Sequence, residues 1–122
     1  MNMTQRPIAT DGRPIDPALM IVRDRFVDSL AERILRFENL KIAIETGAHD
    51  PRAVLKAIAD LAHKIAGVAG TLGFEDIGQL CMTLDRRIQN GTAAQTPCSR
   101  LWAEVSEPLE NLLDAMEAKL DT

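Results

Sequence analysis

The chain of 122 residues is 46% apolar and 26% charged, which is the composition of a globular domain with one core and excludes a disordered tail. Its net charge is −4 and its 14 basic residues are scattered, so it lacks the Lys/Arg face that nucleic-acid binding requires. No apolar run approaches the roughly 18 residues of a membrane span, and no signal peptide is recognisable at the N-terminus. We therefore expect a cytoplasmic protein that binds neither nucleic acid nor a membrane.

A change in the sequence pattern near residue 16 marks the predicted start of the folded domain. Residues 1–15 are rich in Thr, Gly, Arg and Pro and show no period, which predicts a flexible N-terminal arm. Asp16 and Pro17 then form a typical helix start, an N-cap followed by a proline at the first helical position. We predict one folded domain over residues 16–122.

The first helical region extends from this start to Gly47. Apolar residues recur along it at helical spacing, and glycine commonly follows the last residue of a helix. Within the region, the sequence SLAE from Ser29 to Glu32 has the form of a capping box, which indicates a second helix start. We predict a short leading helix joined to a longer one, with a single continuous helix as the alternative.

Two further helices are bounded by proline and glycine. The second begins after Asp50, with Pro51 at its first position, and ends at about residue 72, with Gly73 just past its end. In the third, apolar residues keep the i, i+3, i+4, i+7 spacing as far as Asn90 and Gly91. This pair is typical of a turn, so we predict that the third helix ends there.

The last helix begins near Thr96 and Pro97 and contains a proline at position 108. Pro108 lacks an amide donor and crowds the preceding turn, so we expect it to kink or divide this helix. The sequence shows no strand pattern, and its helices are joined by short connections. It therefore predicts an all-α fold, an up-and-down antiparallel four-helix bundle with a short extra N-terminal helix.

On a helical wheel of the second helix, His63 lies opposite the predicted core face. The core face consists of Val54, Ile58, Leu61, Ala62, Ile65, Ala69 and Leu72. Lys56, Gly67 and Gly70 share the outer strip with His63 at i−7, i+4 and i+7. Each interior glycine costs a helix about 1 kcal/mol relative to alanine, so we expect a compensating role. An open surface would let another protein approach a nucleophilic imidazole.

The alternatives for His63 are a plain surface residue, a metal ligand and a residue of an enzyme pocket. The simplest is a plain surface histidine beside glycines without a role. A metal site is disfavoured, because His49 is the only other histidine and no Cys, His or Asp spacing completes a ligand set. An enzyme pocket is disfavoured because an exposed helix encloses no substrate.

Cys81 and Cys98 are far apart, and we expect reduced thiols rather than a disulfide.

Residues 62–74, AHKIAGVAGTLGF, resemble the phosphoacceptor motif of histidine phosphotransfer (HPt) domains, written H-x-L-K-G-x-x-x-x-x-G. They are similar to the branch with A-G-T-x-G-F found in chemotaxis-type kinases. Residues 77–85, IGQLCMTLD, resemble L-x-x-L-C-x-x-L-E on the following helix of that family. Upstream, residues 44–47 resemble its A-L-x-x-G-D stretch, so the likeness covers about residues 19–88.

The resemblance implies a four-helix phosphocarrier in a bacterial-type multistep phosphorelay. His63 would accept a phosphoryl group on Nε2 from an aspartate of one receiver domain and pass it to an aspartate of another. The partners would be response-regulator receivers and hybrid histidine kinases, and Mg²⁺ would belong to the receiver, so no cofactor is expected here. Ala66, Gly67 and Gly70 would form the docking surface. A self-contained kinase is disfavoured, because the sequence has no Gly-rich nucleotide loop.

The sequence departs from the family pattern at two positions. Three residues after the histidine the family usually has a lysine that offsets phosphoryl charge, and this chain has Ala66. Lys64 and Lys56 are the candidates to replace it, with ordinary surface lysines as the alternative. Asp85 stands where related domains have an acidic residue that orients the imidazole. Because aspartate is one methylene shorter than glutamate, we expect this contact to be lost or mediated by water, and a solvated rim residue is the alternative.

Two other function classes remain open. The first is a non-catalytic docking module, the same bundle binding receivers without transferring phosphate. The second is a helical dimerisation protein unrelated to signalling, which would bury an apolar patch between two copies. We expect a monomer instead, because the apolar stripes of the helices can close on one another.

Overall fold

The structure of the protein is a computed structural model that describes residues 16–121. In this part of the chain it contains four α-helices and no β-strand. They are α1 (Pro17–Thr46), α2 (Pro51–Thr71), α3 (Glu75–Ala93) and α4 (Cys98–Leu120). Each helix packs against the next along the chain, and α1 also packs against α4, which confirms the predicted four-helix bundle. None of the described helices has the length and apolarity of a membrane span.

The first two helices begin and end at the predicted local signals. The carboxylate of Asp16 accepts a hydrogen bond from the amide of Ala18 at 2.7 Å and so caps α1. Gly47 follows α1 with φ +70°, and Gly73 lies in the α2–α3 turn with φ +85°. Residues with a Cβ rarely adopt these angles, so both turns require glycine. The predicted arm over residues 1–15 lies outside the described residues.

The first helix is continuous, which corrects the prediction of a separate short leading helix. The hydroxyl of Ser29 donates a hydrogen bond to the carbonyl of Phe26 at 2.6 Å and accepts one from Nε of Arg33 at 3.0 Å. A capping serine would instead accept a hydrogen bond from a backbone amide. Ser29 is therefore an interior residue of α1, and its capping-box pattern has no structural counterpart.

The predicted end of the third helix at Asn90 and Gly91 is wrong, because α3 continues to Ala93. Gly91 is required for packing rather than for a turn. A Cβ built on it would lie 2.9 Å from Cδ2 and 3.2 Å from Cγ of Leu101, a buried residue of α4. The missing side chain therefore lets α3 and α4 approach each other at this point.

The proline at position 108 does not divide the last helix, since α4 passes through it. Its neighbours Val105 and Leu109 are fully buried on either side. Burial of these two side chains holds both halves of α4 against the core, which offsets the hydrogen bond that proline cannot make.

The core is apolar and includes every residue of the predicted core face of α2. No polar or charged residue is buried in the described part of the chain. Cys81 and Cys98 are free thiols, as predicted. Cys81 is completely buried, and this burial raises the pKa of its thiol from 9.0 to about 12.

Candidate functional site

His63 lies in the middle of α2 and faces outward, with 78% of its side chain exposed. Gly67 and Gly70 are exposed along the same helix. A Cβ added to either glycine would meet no atom within 4 Å, apart from its own helix and chain neighbours. These two glycines therefore do not serve helix packing, and they leave the surface beside the imidazole open.

Asp85 of α3 contacts the imidazole of His63 directly. Its Oδ2 atom lies 3.1 Å from Nδ1 of His63, and its Oδ1 atom accepts a weaker hydrogen bond from Nε2 of Gln89 at 3.4 Å. The expected loss or water mediation of this contact is therefore not observed. A carboxylate accepts hydrogen bonds, so the contact favours the tautomer with the proton on Nδ1 and the lone pair on Nε2.

The short side chain of Asp85 can contact His63 because α2 and α3 are closely packed. Gly78, two turns before Asp85, is buried against α2. A Cβ at Gly78 would lie 3.6 Å from the amide nitrogen of Gly70 and 3.9 Å from the carbonyl oxygen of Ala66. Because α2 and α3 are antiparallel, a step forward along α3 matches a step back along α2. Asp85 lies seven residues after Gly78 on α3, and His63 lies seven residues before Gly70 on α2, so the two residues meet. The same close packing that places Gly78 against the backbone of α2 therefore brings Asp85 within hydrogen-bonding distance of His63.

A shallow depression beside the imidazole is formed by α2 and α3. Its lining residues are His63, Ala66, Gly67, Met82, Asp85, Arg86 and Gln89. The sequence interpretation missed Met82, Arg86 and Gln89. The spacing of Gln89 four residues after Asp85 is a signal that could have identified it, because residues four apart are neighbours on a helix surface. Met82 and Arg86 come together with His63 only through the packing of α3 on α2.

The two lysines predicted to support His63 do not line this depression. Nζ of Lys56 donates a hydrogen bond to Oδ2 of Asp60 at 2.8 Å. This bond lowers the pKa of the Asp60 carboxyl below its usual range, with further contributions from the charges of Lys56, Lys64 and His63. Lys56 is therefore paired within α2, and Lys64 acts electrostatically on the same carboxylate.

A metal-ligand set is absent from the part of the chain that the structure describes. Residues 16–121 contain no group of three or more His, Cys, Asp or Glu side chains that could hold an ion. His49 is exposed in the loop between α1 and α2, outside the depression of His63. What the described site offers chemically is an exposed imidazole whose ring is oriented by a carboxylate.

Comparison with protein families identifies the class of this bundle. A family model described as Hpt domain matches residues 22–120. The chain therefore belongs to the Hpt domain family, and the match extends through α4, well beyond the stretch in which the motifs are recognisable. Searches of curated proteins and of solved structures return no significant match. Family membership implies histidine phosphotransfer in phosphorelays, and Hpt domains in general interact with receiver domains and kinases.

Proposed function

We propose that this protein is a phosphocarrier in a multistep His-Asp phosphorelay, with His63 as its phosphoacceptor. The observation that carries the proposal is the 3.1 Å contact between Nδ1 of His63 and Asp85. The contact engages Nδ1 and thereby orients the second ring nitrogen, Nε2. The His63 side chain is 78% exposed. An exposed and oriented nucleophile is what transfer between two proteins requires.

The proposed transfer begins at the aspartyl phosphate of a receiver domain. The lone pair of Nε2 attacks phosphorus, the N–P bond forms, and the O–P bond breaks to leave the receiver's carboxylate. The ring then carries the proton on Nδ1 and one positive charge, which the carboxylate of Asp85 stabilises. The reverse sequence delivers the phosphoryl group to a second receiver. The receiver would supply Mg²⁺, and His63 would supply the nucleophile and its alignment.

The open strip beside His63 supports the docking of such a partner. At Ala66, Gly67 and Gly70 no long side chain stands between the imidazole and an approaching protein. We propose this strip as the docking surface for response-regulator receivers and for the receivers of hybrid histidine kinases. We propose further that the protein acts as a monomer in the cytoplasm.

A transfer assay with a panel of receiver domains tests the proposal. Each receiver is phosphorylated with radiolabelled acetyl phosphate, freed of the donor and mixed with the wild-type protein or a variant. We expect label on the wild-type protein and on His49→Ala, which lacks the other histidine, and none on His63→Ala. Equal labelling of wild type and His63→Ala would assign the phosphoryl group to another residue.

A docking module that binds receivers without transfer is the second candidate. It is favoured by Ala66 at the position of the usual lysine and by the pairing of Lys56 with Asp60. Calorimetric titration against the same receivers distinguishes the two functions. A receiver that binds the wild-type protein but transfers no label to it would support the docking module.

A further inference from the structure

A phosphoryl group on His63 needs a positive charge nearby. Phosphoryl groups on proteins carry about −1.5 to −2 charges at neutral pH. Asp85 already places a carboxylate against the ring, and Asp60 lies on the same helix. Ala66 provides no charge, Lys56 is paired with Asp60, and Lys64 does not line the depression of His63. Any compensating cation within the depression must therefore come from α3.

Arg86 is the cationic side chain that lines the depression together with His63. Arg86 directly follows Asp85 on α3 and is exposed. No hydrogen bond or ion pair engages Arg86 within residues 16–121, so its guanidinium is available to a ligand. Arg87, its neighbour in sequence, lines a different depression with Asn90, Gly91 and Glu104.

We propose that Arg86 binds the oxygens of the phosphoryl group on Nε2 of His63 and supplies from α3 a positive charge that α2 does not place in the depression. This inference rests on the proposed function of His63. A guanidinium presents several N–H donors in a planar fork that matches phosphate oxygens. Arg86 neither gives nor takes a proton in the transfer. It stabilises the negative charge of the group as the N–P bond forms, and it therefore acts on both directions of transfer.

Phosphoramidate isolates this effect from partner docking, because it is a small donor that needs no receiver. Nε2 of His63 attacks its phosphorus, the N–P bond to the imidazole forms, and the donor's own P–N bond breaks to release ammonia, which takes up a proton. The rate of phosphohistidine formation, followed by phosphorus NMR, is compared for wild type, Arg86→Ala, Arg86→Lys and Arg87→Ala. Arg87→Ala removes the same charge one residue away and serves as the matched control.

We expect Arg86→Ala to slow phosphorylation about threefold to fivefold, the size of a charge interaction near solvent. Arg87→Ala should retain the wild-type rate, and Arg86→Lys should recover most of it. Raising the salt concentration should slow wild type more than Arg86→Ala, because salt screens the interaction that the variant lacks. If the wild-type protein is phosphorylated and Arg86→Ala and Arg87→Ala react at equal rates, the proposed role of Arg86 is overturned and the proposed function of His63 is not. A wild-type protein that forms no phosphohistidine would overturn the proposed function and this inference with it.

Discussion

Nδ1 of His63 on α2 lies 3.1 Å from Oδ2 of Asp85 on α3, and Gln89 holds the other oxygen of the same carboxylate. The contact joins the exposed nucleophile of one helix to a side chain of the next that is only 19% exposed. It lies where α3 is packed closely on α2: two turns away, a Cβ on Gly78 would be in ordinary van der Waals contact with the backbone of α2. The geometry of the imidazole is therefore set by the packing of the bundle.

Removing the carboxylate at position 85 should slow phosphorylation of His63. A hydrogen bond of this kind is worth about 1 kcal/mol, so we expect Asp85→Ala to lower the rate of phosphorylation by phosphoramidate about fivefold. Asp85→Asn keeps an acceptor oxygen for Nδ1 but loses the charge, and its rate should be intermediate. Phosphorus NMR measures all three rates.

Asp114→Ala is the control for this series, because it removes an exposed carboxylate on α4, away from the depression. Its rate should equal that of wild type. If Asp85→Ala also matched wild type, the contact with Nδ1 would have no part in positioning the ring.

Alanine substitutions at two helical glycines should change stability in opposite directions. Gly67→Ala adds a methyl group in open space and should raise the free energy of unfolding by about 1 kcal/mol, the helix propensity difference. Gly91→Ala gains the same propensity but forces the buried Leu101 to shift, at a cost of about 1–3 kcal/mol. We therefore expect it to destabilise the bundle. Urea unfolding of both variants measures the two effects, and a gain in stability at both positions would contradict this account of Gly91.

Most of the fold could be predicted from the sequence because its signals are local. Proline at the first helical position, glycine after a helix end and the spacing of apolar residues each depend on a few neighbouring residues. The wrong predictions concern residues whose sequence pattern has more than one structural outcome. Gly91 resembles a helix terminator in the sequence, yet it makes room for Leu101 of another helix. Ser29 resembles an N-cap, yet its hydroxyl bonds to a carbonyl inside α1.

A larger side chain at Gly67 should block receivers but not small donors. Gly67→Gln places a flexible polar chain on the proposed docking surface, so we expect transfer from a phosphorylated receiver to slow about tenfold, the cost of an overpacked contact. Phosphorylation by phosphoramidate should stay near the wild-type rate. Ala118→Gln on the exposed surface of α4 is the control and should change neither rate. Equal slowing of both reactions by Gly67→Gln would show an effect on His63 itself.

Burial of Cys81 should make the stability of the bundle fall in alkaline solution. The pKa of this thiol is raised from 9.0 to about 12 in the folded protein. Below pH 9 both states hold the proton, and this group gives no pH dependence. Between about pH 9 and 12 only the unfolded state releases the proton, so unfolding becomes more favourable by about 1 kcal/mol per pH unit.

Urea unfolding of wild type and Cys81→Ala, repeated from pH 8 to pH 11 under reducing conditions, isolates this contribution from that of other groups. The stability difference between the two proteins should be constant below pH 9 and should shrink above it. Parallel curves over the whole range would mean that the thiol titrates normally in the folded state.

The candidate site could be predicted from the sequence only where it lies on one helix. The outward position of His63 and the open positions at Gly67 and Gly70 follow from the period of α2 alone. The direct contact of Asp85 and the presence of Arg86 in the depression follow from the distance between α2 and α3. That distance arises from the packing of the two helices on each other, and neither helix encodes it alone.

Identifying the phosphorylated nitrogen tests the proposed role of His63 most directly. Uniformly nitrogen-15-labelled protein is treated with phosphoramidate, and long-range proton–nitrogen correlation spectra of the two histidines are recorded before and after. We predict phosphorylation of His63 at Nε2, with Nδ1 protonated and His49 unchanged. Phosphorylation at Nδ1 of His63 would contradict the orientation of the imidazole by Asp85, and phosphorylation at His49 instead would contradict the assignment of His63 as the phosphoacceptor.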